Sequence, residues 1–120
     1  MSGSDANEPQ AKLVWYYNNL RGQPKKKKII WQRGYHGCSV IFGSMTGMSF
    51  YHEHIDLPFP GILHTGAPHH YWGAEPGEAE ESFSRRRAAE LEELIVQEGP
   101  ETMGAFIAEP VLGTGDHTAA

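Results

Sequence analysis

A compact apolar run, Met103 to Ala108, follows a strongly helical segment and constrains the fold more than any other feature of this chain. The helical segment extends from about Glu78 to Glu98, carries its apolar residues on one side, and is ended by Gly99-Pro100. An unbroken apolar run of this length is typical of a strand buried on both faces. The C-terminal half therefore predicts a helix that leads into a buried strand.

The N-terminal half repeats this order. Apolar residues recur at spacings of three and four from Ala11 to Leu20, which predicts an amphipathic helix. Ile29-Ile30-Trp31 then predicts a short strand. Helix, strand, helix and strand in succession indicate an α/β protein, with a mostly parallel sheet and flanking helices.

The start of the first helix is open to two interpretations. Ser4 is a good N-cap, but Pro9 then falls in the second turn, where it has no N–H for the hydrogen-bond ladder. Either the helix kinks at Pro9 or regular helix begins near it. Farther along, a short helix is expected within Cys38 to Gly47, and a long loop from Met48 to Trp72 is expected to contain a short strand at Ile62-Leu63.

Residues 2–7 form a small-residue turn that leads into the first helix. Gly3 lets the backbone approach an anion, Ser4 offers a hydroxyl, and a helix start directs N–H groups and partial positive charge toward the same point. A turn of this kind can hold a phosphate. Spacing alone favours an ordinary N-cap, so both interpretations stay open.

Two further features suggest a ligand site, each with a plainer alternative. Tyr35-His36 lies between two glycines and offers a flat ring that could stack on a planar ligand, although such a segment is more often a packed turn. Glu109 follows the apolar run, at the end of a strand where α/β sheets place ligand-binding groups. A glutamate in that place could equally face solvent.

Composition excludes several classes of partner. The formal net charge is -5, and the only basic run, Lys25 to Lys28, is expected to be a solvated loop, so neither nucleic acid nor a membrane is expected as a partner. No apolar run approaches the roughly 20 residues that span a bilayer. The single cysteine, Cys38, excludes an internal disulfide and is expected to be a buried thiol rather than a nucleophile. A cytoplasmic location is the expectation.

Taken in order, the motifs of the chain resemble those of the class III aminotransferases, and most closely the amine:pyruvate, or omega-transaminase, branch. The motifs are Ser2-Gly3-Ser4-Asp5-Ala6-Asn7, Lys12 to Asn19, Gly34-Tyr35-His36-Gly37, Pro58 to His64, Gly99 to Thr102, and Phe106 to Val111. They cover nearly the whole chain, and their joint order is far more specific than any one of them.

The resemblance implies pyridoxal 5′-phosphate as the cofactor, on the large domain of a fold-type-I transferase that is normally a homodimer. Gly3 and Ser4 would hold the cofactor phosphate, Tyr35 would lie against the pyridine ring, and His36 would belong to the same wall. Glu109 would help to organise the site near the ring. An amine or amino-acid donor would give its amino group to a keto-acid acceptor.

The chain departs from the family pattern in one decisive way. The family has a Schiff-base lysine and an aspartate at the pyridinium nitrogen, both well downstream of the Glu-Pro motif. No lysine follows Lys28, and Asp116 stands too close behind Glu109 to be that aspartate. No catalytic residue is therefore assigned.

Residues 1–120 are interpreted as an incomplete cofactor-binding large domain, an internal fragment of the family fold, with residues 112–120 as a non-native or disordered tail. Such a chain is expected to be inactive alone. It is also expected to be marginally stable and prone to aggregate, because neighbouring strands would be missing.

Two alternatives remain. A non-catalytic fragment that binds a partner is possible, although nothing in the sequence specifically supports it. A histidine-rich metal-binding protein is the other, and its candidate ligands are His52, Glu53, His54, His64, His69 and His70. Histidine-rich loops often bind metals adventitiously, so no native metal site is assigned.

Overall fold

The sheet is parallel and three-stranded. The structure, a computed structural model, describes residues 2–31, 36–46 and 53–111. Strands β1 (Lys28–Trp31), β2 (Ile62–His64) and β3 (Met103–Ile107) pair in the order β2-β1-β3. Both pairings of β1 are parallel. The predicted α/β class with a parallel sheet is confirmed.

Helices surround and connect these strands. They are α1 (Gly3–Leu20), α2 (Val40–Met45), α3 (His70–Gly73) and α4 (Glu80–Glu98), with a 3₁₀ turn at Pro100–Thr102 before β3. The connections between the parallel strands carry α2, α3 and α4, because a chain must cross from one end of the sheet to the other before it can pair in parallel again. None of the helices in the described part of the chain is long and apolar enough to cross a membrane.

Helix α1 begins earlier than Pro9. Ser2, not Ser4, is the N-cap: its Oγ accepts a hydrogen bond from the Asp5 N–H, and the Asp5 carboxylate accepts one from the Ser2 N–H at 2.8 Å. The helix continues through Pro9, so the interpretation that regular helix starts there is wrong. The reciprocal capping box satisfies two N–H groups at the helix start, which offsets the single hydrogen bond that proline removes.

The core is built around the central strand. Its buried apolar side chains, packed between the sheet and two helices, are Ala11, Ile29, Trp31, Phe42, Met45 and Ile62. Ile30 points to the opposite face of the sheet because side chains alternate along a strand, and it is buried as well. Strand β1 is thus covered on both faces.

Strand β3 differs from its prediction. Its residues are mostly half-buried, and the Phe106 side chain is 45% exposed. Within the described residues β3 pairs with β1 alone and lies at the edge of the sheet. The expectation of a strand buried on both faces is therefore wrong for this chain, since an edge strand has fewer neighbours to cover it.

Candidate functional site

The N-terminus of α1 and the turn that follows β1 enclose a cavity of about 250 Å³. Residues 2–4, Asn7 and residues 36–38 line this cavity, which we call the cup. The first N–H groups of a helix have no acceptor within the helix, and they carry the positive end of its dipole. Gly3 and Ser4 occupy those first positions of α1.

Gly37 allows the two walls of the cup to meet. Its φ is 129°, a conformation that side chains other than glycine rarely adopt. A Cβ atom at this position would overlap Ser4 Oγ and lie 3.1 Å from Phe42 Cβ. The close approach of the turn to the helix start therefore requires glycine.

A hydrogen bond also joins the two helix starts. Ser39, the N-cap of α2, donates from its Oγ to Glu8 Oε2 at 2.5 Å and accepts from the Phe42 N–H at 3.2 Å. Glu8 belongs to α1, so this contact holds α1 against the segment that carries His36 to Cys38. The start of α1 and the turn after β1 are therefore held together by two contacts, Gly37 against Ser4 and Ser39 with Glu8.

His36 forms a buried, uncharged wall. Its ring centroid lies 3.8 Å from that of Trp31, with the planes tilted by 52°. Burial and the nearby His64 lower the pKa of His36 from 6.5 to about 4, because water is excluded from the charged form and a second imidazolium would repel it. His36 is therefore neutral at physiological pH.

Glu109 lies beside that histidine. Its Oε1 is 3.2 Å from His36 Nε2, and within the described residues the buried Nε2 makes no hydrogen bond. Since His36 is uncharged, we regard the pair as a close polar contact and not as an ion pair. His36 follows β1 and Glu109 follows β3, so parallel pairing brings both to the same edge of the sheet.

The structure thus brings together four of the five predicted site residues. Gly3, Ser4 and His36 line the cup, and Glu109 reaches it through His36. Tyr35 lies outside the described residues. The roles assigned to these residues stay predictions.

The residues near the cup that were not assigned from the sequence include Asn7, Cys38 and Thr46. Asn7 lines it, and its spacing of three and four from Ser4 and Gly3 on one helix would have been a usable clue. Cys38 also lines it and is exposed, so the expectation of a buried thiol is wrong. It precedes the N-cap of α2 and so stays outside the core. Thr46 lies behind the turn, and its Oγ1 accepts a hydrogen bond from the His36 N–H.

The lysines lie elsewhere. Lys28 begins β1, at the amino end of the strands, and its Nζ is 2.7 Å from Glu98 Oε2. Lys25, Lys26 and Lys27 precede it, and Lys12 is exposed on α1. Among the described residues that line the cup there is no lysine.

The described residues also bear on the metal alternative. Among residues 2–31, 36–46 and 53–111, no three histidine, cysteine, aspartate or glutamate side chains form a group that could hold a metal ion. His52, one of the candidate ligands, lies outside these ranges.

A helix start facing a glycine turn at the carboxyl edge of a parallel sheet is an architecture typical of anion-binding α/β proteins. The whole chain, residues 1–120, matches the family described as aminotransferase class-III, and the chain belongs to that family. The resemblance found in the sequence is confirmed, and class III aminotransferases depend on pyridoxal phosphate.

Curated relatives are much longer than this chain. An uncharacterized aminotransferase, y4uB, of Sinorhizobium fredii is 76% identical over 119 residues, which is 98% of this chain and 26% of that protein. Gamma aminobutyrate transaminase 1, mitochondrial, of Solanum lycopersicum is 56% identical over 115 residues, covering 95% of this chain and 22% of its own length. The chain spans about a quarter of the relatives that it matches.

Solved structures of transaminases superpose closely on this chain. The crystal structure of the omega transaminase from Pseudomonas jessenii in complex with PMP superposes with a TM-score of 0.95 at 51% identity. The match covers 98% of this chain and 26% of that one. The neighbouring structures are omega transaminases, in line with the branch that the motifs resemble.

Proposed function

We propose that this chain is the phosphate-binding part of a pyridoxal 5′-phosphate-dependent aminotransferase, and that the cup holds the cofactor phosphate. The observation that carries the proposal is the meeting of the α1 N-terminus with Gly37, where the absence of a Cβ lets Ser4 and the turn form one concave wall.

The residues present suit a phosphate. Gly3 and Ser4 offer backbone N–H groups, Ser4 a hydroxyl, and Asn7 an amide. None of the lining residues carries a carboxylate. Asp5, the nearby acid, is already bonded by the Ser2 N–H at 2.8 Å and by Ser2 Oγ at 3.0 Å. An anion in the cup would therefore meet donors and not a free negative charge.

When bound, the cofactor supplies an electron sink for moving an amino group from an amine or amino-acid donor to a keto-acid acceptor. The task of this chain is to bind and orient it. Gly3 and Ser4 would anchor the phosphate. Tyr35, which the resemblance assigns to the ring, lies outside the described residues. His36 would form part of the wall as a neutral side chain, and Glu109 would help to organise the site near the ring.

We further propose that no lysine of residues 1–120 carries the cofactor. The lysines are at the amino edge of the sheet or on the exposed side of α1, whereas the cup is at the carboxyl edge. The lysine and the aspartate at the ring nitrogen would belong to polypeptide outside these residues. On this proposal residues 1–120 are an incomplete large domain without transaminase activity of their own.

Several finer expectations stay predictions. These are the homodimer, the cytoplasmic location, and the marginal stability with its tendency to aggregate. The interpretation of residues 112–120 as a tail lies outside the described residues.

Alkylation of Cys38 tests the proposed phosphate site. Cys38 is the only cysteine of the chain, is exposed and lines the cup, so iodoacetamide reports on a single position. Pyridoxal 5′-phosphate should slow its alkylation several-fold, and inorganic phosphate should slow it less.

Pyridoxal, which lacks the phosphate, is the matched control ligand and should protect poorly. Equal alkylation rates with and without pyridoxal 5′-phosphate, measured by intact-mass spectrometry, would refute the phosphate site.

Reduction with borohydride tests the proposed lack of activity. In the presence of pyridoxal 5′-phosphate we expect scattered labelling of the surface lysines Lys25 to Lys28, mapped by peptide mass spectrometry. One specific adduct that disappears when an amine donor is added would contradict the proposal that the chain is inactive alone.

A further inference from the structure

Thr46 is a polar residue in the middle of the apolar core. It caps the C-terminus of α2 and is fully buried, and its Oγ1 accepts a hydrogen bond from the His36 N–H at 3.1 Å. The same oxygen lies 3.1 Å from the Phe42 carbonyl oxygen and 3.3 Å from that of Gly37. A hydroxyl has one proton to donate, so it bonds one of these carbonyls while it accepts from His36.

This hydroxyl reaches both residues that shape the cup. Through the His36 N–H it fixes the backbone from which the imidazole extends toward Trp31 and Glu109. Through the Gly37 carbonyl it contacts the residue that lies against Ser4. One side chain behind the wall thus bonds the His36 backbone and lies within hydrogen-bond distance of Gly37.

A threonine is not needed here for packing alone. Valine has nearly the same shape and would fill the site, but it would leave the buried His36 N–H without its acceptor. A buried polar group that loses its partner moves toward water or another acceptor, and in this turn that movement would displace His36 and Gly37 together.

We propose that Thr46 is a positioning residue of the cofactor site, whose hydroxyl holds the His36–Gly37 turn in the form that the phosphate requires. The inference rests on the proposed function for its ligand. It adds a residue that touches neither the cup nor the cofactor, and it acts through His36 and Gly37.

Two variants of the full chain separate the hydroxyl from the methyl group. Thr46→Val removes the hydroxyl, and we expect the concentration of pyridoxal 5′-phosphate that half-protects Cys38 to rise about tenfold. The pKa of His36, followed by NMR of the imidazole protons, should rise from about 4 toward 6.5 as the ring gains access to water. Thr46→Ser keeps the hydroxyl and should stay close to the unmodified chain in both measurements, even if its melting temperature falls.

Ser44 provides the matched control. It is also a fully buried hydroxyl on α2, but it accepts from the Phe59 N–H at 2.7 Å and so holds a loop away from the cup. Ser44→Ala should lower stability while cofactor protection and the His36 pKa stay unchanged. If Thr46 contributes only to stability, Thr46→Val should likewise lower stability and leave cofactor protection and the His36 pKa unchanged. That result would overturn the inference.

These experiments distinguish failure of the inference about Thr46 from failure of the proposed phosphate site. If pyridoxal 5′-phosphate does not protect Cys38 in the unmodified chain, the phosphate site is refuted, and Thr46 is judged by the His36 pKa alone. If Thr46→Val does not fold, Thr46→Ser decides, because loss of cofactor protection or a raised His36 pKa in that variant would overturn the role of the hydroxyl.

Discussion

The two edges of the sheet have opposite chemistry. At the carboxyl edge, the cup and Glu109 bring buried or half-buried polar groups together without a lysine. At the amino edge, Lys27 and Lys28 border an apolar groove of about 430 Å³, whose wall includes Trp15. There Lys28 Nζ donates to the last residue of α4, both to the Glu98 carboxylate and to its carbonyl oxygen.

On the proposed function, a helix N-terminus would bind at the carboxyl edge an anion that a cationic side chain could otherwise bind. Lys28 donates to the last residue of α4, and a cation at a helix C-terminus stabilises the negative end of the helix dipole. The carboxyl edge has a helix N-terminus instead, and its N–H groups can meet an anion without a charged side chain. Changes at one edge should therefore leave the other edge unaffected.

The largest effect is expected from Gly37→Ala. The new Cβ would overlap Ser4 Oγ at a φ of 129°, so the cup should open, and pyridoxal 5′-phosphate should no longer protect Cys38. Strain and overpacking together should lower the free energy of unfolding by roughly 2–5 kcal/mol, measured by urea denaturation.

Gly77→Ala is the control for backbone strain. Gly77 also has a positive φ, 81°, but no atom lies within 4 Å of a Cβ built there. It should lose stability without losing protection of Cys38. Full protection in Gly37→Ala would show that the cup does not depend on the approach of Ser4 to the turn.

The second-largest effect is the loss of stability at acid pH that His36 causes. His36 has a pKa of about 4 in the folded chain and 6.5 when unfolded, so the unfolded state takes up the proton first as pH falls. Above pH 6.5 protonation of His36 does not reduce the free energy of unfolding. Between pH 6.5 and pH 4 this free energy falls progressively, by up to about 3 kcal/mol. His36→Phe, which keeps a ring against Trp31, should remove most of that slope.

Urea denaturation at several values between pH 7 and pH 4 measures the slope directly. The difference between the two chains should be concentrated between pH 6.5 and pH 4. Parallel curves for His36→Phe and the unmodified chain would mean that the buried imidazole does not resist protonation.

The smallest effect is expected at the amino edge. Lys28→Met should cost roughly 0.5–1 kcal/mol, because a partly exposed pair with Glu98 and a helix-end contact are lost. Lys27→Met, next to it, should cost less, since the Lys27 side chain is exposed. Neither should change protection of Cys38, and a loss of protection in Lys28→Met would place a lysine at the cofactor.

Local patterns predicted most of the fold. The strands at Ile29-Ile30-Trp31, Ile62-Leu63 and Met103 to Ala108 were found within a residue or two, because short β-prone runs stand between glycines and prolines. The helix before β3 was found with a similar margin. These features depend on neighbouring residues, which a sequence displays directly.

Features that depend on distant neighbours were missed. The exposure of β3 depends on its place at the edge of the sheet, and the exposure of Cys38 on the cup beside it. Thr46 was missed because its partners lie up to ten residues away, across a turn whose conformation no spacing rule predicts. The start of α1 was misjudged because the penalty for Pro9 was weighed without the capping box of Ser2 and Asp5.

The order of the strands has a consequence for how the chain is made. Strand β1 is central, yet both of its partners follow it in the sequence, the later one beginning only at Met103. At about 5–20 residues per second, synthesis leaves Ile29, Ile30 and Trp31 without that partner for several seconds. During that interval the emerging chain presents an unpaired, apolar strand, and an exposed strand of this kind is prone to aggregate.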